Sequence, residues 1–247
     1  MRSTTVVTGA VLALGFAFAP AARATVISYS ASGSGSDGPL AADAQFTTGA
    51  GFIDITLTND LAANVIRSAG QALSDISFTL SNPPGTLGTA TATGQQGNVS
   101  GSGLVAYTTG SPVRFLGMGP PPPGGQGGFS ITGDTILMEA IGGGQPSQMI
   151  APAIANGGTY TNVNNGFQNF DPYTIGPATF VLDLSGITAS TTVTAATFSF
   201  GTGPDTFVAG TTTTTTATAP VPEPASIALF GAALAGLGLL RRQRRTI

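Results

Sequence analysis

Few residues in this chain could carry out chemistry, because most of the usual catalytic side chains are absent. The 247 residues include no His, no Cys and no Lys. Catalysis by an imidazole or a thiolate is therefore excluded, as are zinc, copper and non-haem iron sites built on those ligands. Without lysine the chain can form neither a Schiff base nor the phosphate-binding loop of nucleotide hydrolases. The residue types thus exclude most hydrolase and redox mechanisms, and no cofactor is predicted.

Carboxylates are the catalytic groups that remain. Glycoside hydrolysis needs two carboxyl groups about 5–10 Å apart, one of them with a raised pKa. Glu139 could pair with one of the aspartates, but the chain has no Trp and only four Tyr with which to stack against a sugar ring. We therefore favour Glu139 as a surface residue at the end of a strand, and we predict that the protein is not an enzyme.

Oxygen-bearing side chains also gather in one short segment. Asn162, Asn164 and Asp171 lie within ten residues of one another, together with Asn165 and Asn169. Calcium prefers hard oxygen ligands of this kind, although a single carboxylate among neutral amides binds it weakly. Asn and Asp also favour turns, because their side chains hydrogen-bond to nearby backbone groups. The sequence favours a turn here, with a weak calcium site as the alternative.

Acidic residues outnumber basic ones in the central part of the chain. Residues 25–219 contain ten acidic side chains and only two basic ones, Arg67 and Arg114, which leaves a net charge of −8. Such a segment has no patch that could neutralise a phosphate backbone. Nucleic acid is therefore excluded as a partner, and an anionic lipid surface is disfavoured.

Short strands must position these groups. Apolar and polar residues alternate at 52–58, 75–80 and 179–184, as in a half-buried strand. Further strands are predicted at 26–30, 86–93, 104–108, 129–132, 135–138 and 193–200. Only residues 61–73 contain helix formers without Pro, and Gly70 and Val65 weaken that signal.

The fold predicted from these elements is all-β. Strands separated by turn residues, with no regular helical spacers, indicate one antiparallel sandwich or jelly-roll-like domain over residues 25–209. The 36 Gly and 17 Pro indicate long loops, notably at 119–128 and 142–170. No disulfide supports this domain, so its stability must come from the core.

The first 24 residues have the features of a secretory signal peptide. Arg2 precedes an apolar run at 6–18, and Ala22 and Ala24 fit the small-x-small cleavage pattern. We therefore expect the mature chain to begin near Thr25.

The last 27 residues combine a short motif, an apolar run and a basic cluster. Residues 225–240 carry no charge, and as a helix they would cover about 24 Å against a hydrocarbon core of about 30 Å. The basic cluster should stay on the cytoplasmic side and act as a membrane stop, so the preceding domain should lie outside the inner membrane. It consists of Arg241, Arg242, Arg244 and Arg245. Residues 210–220, with a threonine run at 211–216, are predicted to be a linker between the domain and this tail.

The tail resembles a known sorting signal. The order Val221-Pro222-Glu223-Pro224, a short Gly/Ala/Leu helix and an arginine cluster is similar to the PEP-CTERM signal of Gram-negative bacteria that produce extracellular polysaccharide. The same segment is also called an ice-binding protein C-terminal domain. The resemblance implies that an exosortase, a membrane-embedded cysteine transpeptidase, recognises Val221, Pro222, Glu223 and Pro224 and cuts near them. The helix would then hold the protein in the inner membrane only transiently.

These observations favour a non-enzymatic protein that is exported to the cell surface or the extracellular matrix. There it would act structurally or adhesively in exopolysaccharide or biofilm. The first alternative is a carbohydrate-binding module with a loop such as 162–171 as its site. Ice binding is a lesser variant of that alternative, and a carboxylate-based glycosidase is the least favoured.

Overall fold

The computed structural model describes residues 25–108, 128–140, 146, 148–203 and 206–213. All of them fall within one compact unit, Arg23–Ala219. The predicted signal peptide, the apolar run at 225–240 and the basic tail lie outside the described residues. Within the described ranges, no helix has the length and apolar character needed to cross a bilayer.

The described residues are mostly strand, with two short 3-10 helices at Ala69–Gln71 and Phe167–Phe170. The strands are β1 (Thr25–Gly35), β2 (Gly38–Gly49), β3 (Phe52–Asn59), β4 (Leu73–Leu80), β5 (Leu87–Val99), β6 (Val105–Thr108), β7 (Gly128–Thr132), β8 (Thr135–Glu139), β9 (Ile150–Ala151), β10 (Tyr173–Leu184), β11 (Val193–Phe200), β12 (Thr206–Ala209) and β13 (Thr211–Thr213). The all-β prediction is confirmed, and each predicted strand is present.

Residues 61–73, the one segment of the domain with helix formers and no Pro, do not form an α-helix. The helix there is a single 3-10 turn, capped by the Ser68 hydroxyl, which accepts a hydrogen bond from the Gly70 N–H at 3.0 Å. Nearby, Asn59 donates from its side chain to the carbonyls of Gln71 and Ile150, at 2.9 and 3.1 Å. Tertiary hydrogen bonds and burial, rather than helix propensity, decide the path of this segment.

The strands form one hydrogen-bonded sheet, where the prediction had the two separate sheets of a sandwich. The central order is β12-β11-β4-β9-β10-β3-β2-β1-β13, and β5, β6, β7 and β8 pair alongside it. Neighbouring strands are antiparallel except β9 and β10, which are parallel. The correction has a simple reason: alternation along a strand shows which side chains point inwards, but it does not show which strands share hydrogen bonds.

The sheet curls until its two ends meet. β12 pairs with β11 at one end of the order and β13 pairs with β1 at the other, yet only Gly210 separates β12 from β13. A side chain at Gly210 would lie about 3 Å from the Phe198 ring and from Tyr29 Cβ, so glycine suits this crossing. The Tyr29 hydroxyl also donates to the Val193 carbonyl at 3.0 Å, which joins β1 to β11.

The curled sheet encloses the apolar core. Phe46 on β2 contacts Phe78 on β4, with ring centroids 4.9 Å apart, and Tyr29 meets Phe46 edge-on at 6.1 Å. All three side chains are buried. Inward positions of β3 and β10, such as Ile55 and Phe180, complete this layer, and the residues that alternate with them face outwards.

Thr211–Thr213 belong to the sheet, although the sequence placed them in the linker. Thr211, Thr212 and Thr213 pair with Ser30, Tyr29 and Ser28 of β1. These three threonines are thus part of the domain and not a spacer, while residues 214–220 lie outside the described ranges.

Candidate functional site

The residues predicted for sorting and processing lie outside the described part of the chain. They are Ala22 and Ala24 at the signal-peptide junction, Val221, Pro222, Glu223 and Pro224 in the motif, and Arg241, Arg242, Arg244 and Arg245 in the tail. Geometry can therefore be assigned only to the candidate residues of the β domain.

The candidate calcium ligands have separate partners in the structure. The Asn162 side chain donates to the Asn64 carbonyl, and the Asn164 N–H donates to the Arg67 carbonyl at 2.7 Å. Both carboxylate oxygens of Asp171 accept from the Val99 N–H, at 2.9 and 3.0 Å. These hydrogen bonds attach the loop at 162–171 to residues 64–67 and to the end of β5. Among the residues that the structure describes, no group of three or more His, Cys, Asp or Glu could hold a metal ion.

Three aromatic side chains near this loop belong to the core. Phe167 stacks on Tyr173 with centroids 4.2 Å apart, and Tyr160 packs against Phe167 at 5.9 Å. All three are fully buried. They pack in the core beneath the loop. None of the three offers an exposed ring against which a sugar could stack.

Burial raises the pKa of Asp171 to about 6, and the hydrogen bond from Val99 opposes this shift. The pKa of Asp60 is also raised to about 6, first by burial and then by a hydrogen bond and charge repulsion from Asp43. Both carboxyl groups are thus easier to protonate in the folded protein than in the unfolded chain.

We expect the domain to lose stability as the pH rises from about 4 towards about 7. Between the ordinary value of 3.8 and the raised value of about 6, the folded state holds protons that the unfolded state has released. The free energy of unfolding therefore falls with rising pH across this window. Urea unfolding at several pH values should reveal the slope, and Asp171→Asn should make it shallower, because an amide does not titrate while Asp60 still does. An unchanged slope in that variant would contradict the assignment to Asp171.

Glu139 does lie beside an aspartate. It ends β8 and is the register partner of Asp75 on β4, so both side chains leave the same face of the sheet. Asp75 is buried, and its carboxylate accepts from the Ala140 N–H at 3.0 Å and from the Ser74 hydroxyl at 3.3 Å. Burial also raises the pKa of Glu139. The Asp75 carboxylate thereby fixes Ala140, the first residue after β8, and its role is structural.

The structure also aligns polar side chains that the sequence reasoning missed. Thr93, Thr179, Thr56, Gln45, Ser28 and Thr213 are register partners on six neighbouring strands, β5, β10, β3, β2, β1 and β13. We call this row the polar ladder. Each member is exposed or half-buried, and the hydroxyl oxygens of Thr56 and Thr179 are 3.4 Å apart. The one local signal in the sequence was Thr89-Ala90-Thr91-Ala92-Thr93, whose alternation sends three threonines outwards.

Comparison with known proteins identifies the tail. Residues 220–245 match the PEP-CTERM protein-sorting motif, so the resemblance seen in the sequence is confirmed. No curated protein matches the chain, and no solved structure matches its fold.

The fold and the motif together define an exported all-β protein with a C-terminal sorting signal. The motif implies processing by an exosortase, with sorting to the cell surface or the extracellular space.

Proposed function

We propose that the protein is a non-enzymatic structural or adhesive component of the cell surface or the extracellular polysaccharide matrix. The observation that carries this proposal is the match of residues 220–245 to a sorting motif. Export signals at both ends, Ala22-Arg23-Ala24 and Val221-Pro222-Glu223-Pro224, would deliver the β domain outside the inner membrane. A biofilm role in a Gram-negative host follows from the same proposal.

A structural role is supported by the way the domain uses its carboxylates. Asp171 binds the Val99 N–H with both oxygens, and Asp75 binds Ala140 and Ser74. Such contacts hold loops and strand ends in place. Catalysis by Glu139 would need a second carboxylate that is free to contact substrate, and its register partner Asp75 already accepts two hydrogen bonds within the protein. Calcium binding by Asn162, Asn164 and Asp171 stays a prediction, and a calcium ion would have to compete with the contact to Val99.

The tail acts, in this proposal, as a temporary anchor. As a helix, the apolar run at 225–240 would be short for a permanent span, and the arginines after it would keep it in the inner membrane until an exosortase cuts near Glu223.

Mass spectrometry of the protein recovered from the cell exterior tests this proposal. We expect the C-terminal peptide to end near Pro224, with residues 225–247 absent, because cleavage would remove the apolar run and the basic tail. Protein displayed outside the cell with Ile247 still attached would contradict the proposal and indicate an ordinary tail-anchored domain.

Carbohydrate binding is the second candidate function, and the polar ladder favours it. The loop 162–171 first considered for this role is tied to the rest of the domain through the Asn162 side chain and the Asp171 carboxylate. The outward face of the sheet is the better location for such a site.

A further inference from the structure

We propose that the sheet face bearing the polar ladder binds a neutral, hydroxyl-rich polysaccharide strand. This inference rests on the proposed function, because export would place that face in contact with extracellular polysaccharide. The face is a different site from the loop at 162–171, and its ligand is a neutral polysaccharide.

The geometry of the ladder suits an extended polymer. Neighbouring strands lie about 4.7–4.9 Å apart, so six strands place their side chains along a row of about 24 Å. The row crosses the strands at one level, since each pair of neighbours is in direct register. A chain of sugar rings lying along the row would meet a hydrogen-bonding group at every strand.

A second row on the same face adds apolar contacts. Thr91, Val181, Asp54, Thr47 and Val26 form a second in-register row beside the ladder. Sugar rings are amphipathic, with hydroxyl groups around the edge and C–H groups on their faces. The threonine hydroxyls and the Val181 and Val26 side chains of this row match the two parts of such a ring.

The negative charges on this face favour a neutral polymer over an anionic one. Its outward positions include Asp43, Asp54 and Asp183, and the six strands contain no Lys or Arg. An anionic polymer would meet like charge with nothing to neutralise it. A neutral polymer has no such penalty, and it can accept hydrogen bonds from hydroxyl groups and donate to them.

A protein partner fits this face less well. Protein interfaces concentrate their binding energy in buried Trp, Tyr and Arg side chains. The outward positions of the six strands carry none of these, and Phe52 is their only aromatic residue. The ring of Phe52 lies against Gly49, where an added Cβ would be 2.2 Å from it. Ordered water, as on an ice surface, also fits less well, because charged Asp54 and the long side chain of Gln45 interrupt the hydroxyl rows.

Affinity gel electrophoresis of the full chain tests the inference. The probes are hydroxyethylcellulose and dextran as neutral polysaccharides, and polygalacturonate as an anionic one. We expect at least one neutral probe to retard the protein and polygalacturonate to have no effect. Retardation by neither neutral probe, or stronger retardation by polygalacturonate, would overturn the inference.

Matched threonine variants then locate the site. Replacing Thr56, Thr93 and Thr179 together by Val keeps the branched shape and removes three hydroxyls. At about 5-fold per hydrogen bond we expect binding to weaken by about 100-fold. The control replaces Thr132, Thr161 and Thr202 by Val; these threonines are exposed but lie outside the six strands. Equal loss in both variants would overturn the inference.

Two further measurements keep the result unambiguous. If the ladder variant unfolds early, Thr93→Val is compared with Thr132→Val, since both residues are exposed strand threonines. Thermal hysteresis on freezing would overturn the inference in favour of ordered water as the ligand. Failure here leaves the proposed sorting intact, because cleavage of the tail is measured separately.

Discussion

Replacing Glu223 and Pro224 by alanine is expected to abolish C-terminal processing. These residues lie near the start of the matched range 220–245, and Glu223 stands between Pro222 and Pro224. The variant would offer an exosortase neither the carboxylate of Glu223 nor the proline that follows it. The uncut protein should keep residues 225–247, remain with the membrane fraction and run as a larger species on gels than the processed protein.

A control variant in the neighbouring segment shows whether the effect is specific to the motif or follows from any change near the cleavage site. Thr216→Ala with Thr218→Ala changes two residues just before the matched range and should leave processing unchanged. Immunoblots of membrane, cell-surface and medium fractions compare the two variants with the wild type. Normal cleavage and release of the Glu223→Ala, Pro224→Ala variant would contradict the assignment of the motif.

Replacing Phe46 by alanine is expected to give the largest loss of fold stability. Its ring is 1% exposed and contacts Tyr29 and Phe78 where β2 packs towards β4 inside the curled sheet. Removing a buried phenyl group loses its transfer free energy and leaves a cavity, and such changes cost about 3–5 kcal/mol. For a domain of this size each kcal/mol lowers the melting temperature by about 2–4 °C, so a fall of about 10 °C is expected.

Phe207 provides the matched control. It is the same residue type in a strand of the same sheet, yet it is 61% exposed. Phe207→Ala should change the free energy of unfolding by less than about 1 kcal/mol, because little apolar surface is removed from the core. Urea unfolding of both variants measures the difference, and similar losses would show that Phe46 does not have the central position described above.

The strands that the sequence reasoning missed show where local pattern is too weak to predict structure. β2 alternates correctly, but two of its inward residues are Ala42 and Ala44, whose small side chains produce little hydrophobic contrast with their polar neighbours. β13 consists only of threonines and resembles a low-complexity spacer. It becomes a strand because β1 supplies hydrogen-bonding partners for Thr211–Thr213.

The candidate sites also show that closeness in sequence does not predict closeness in the fold. Asn162, Asn164 and Asp171 are close in sequence, and proximity alone suggested a shared ligand. In the structure Asn162 and Asn164 contact residues 64–67 while Asp171 contacts Val99, since the loop uses its polar groups to satisfy nearby backbone donors and acceptors. In contrast, Thr93 and Thr179 are far apart in sequence and become neighbours only through the pairing of β5 with β10.

The sequence by itself determined the properties that depend on residue type and local order. These are the absence of imidazole, thiolate and amine chemistry, the acidic character of the domain, its β-strands and the sorting motif at its end. Only the tertiary structure decided that the strands form one curled sheet, that Asp171 and Asp75 hold backbone groups, and that six distant polar side chains share one row. The physical reason is that side-chain alternation is encoded within each strand, whereas register between strands depends on long-range pairing and on the packing of the core.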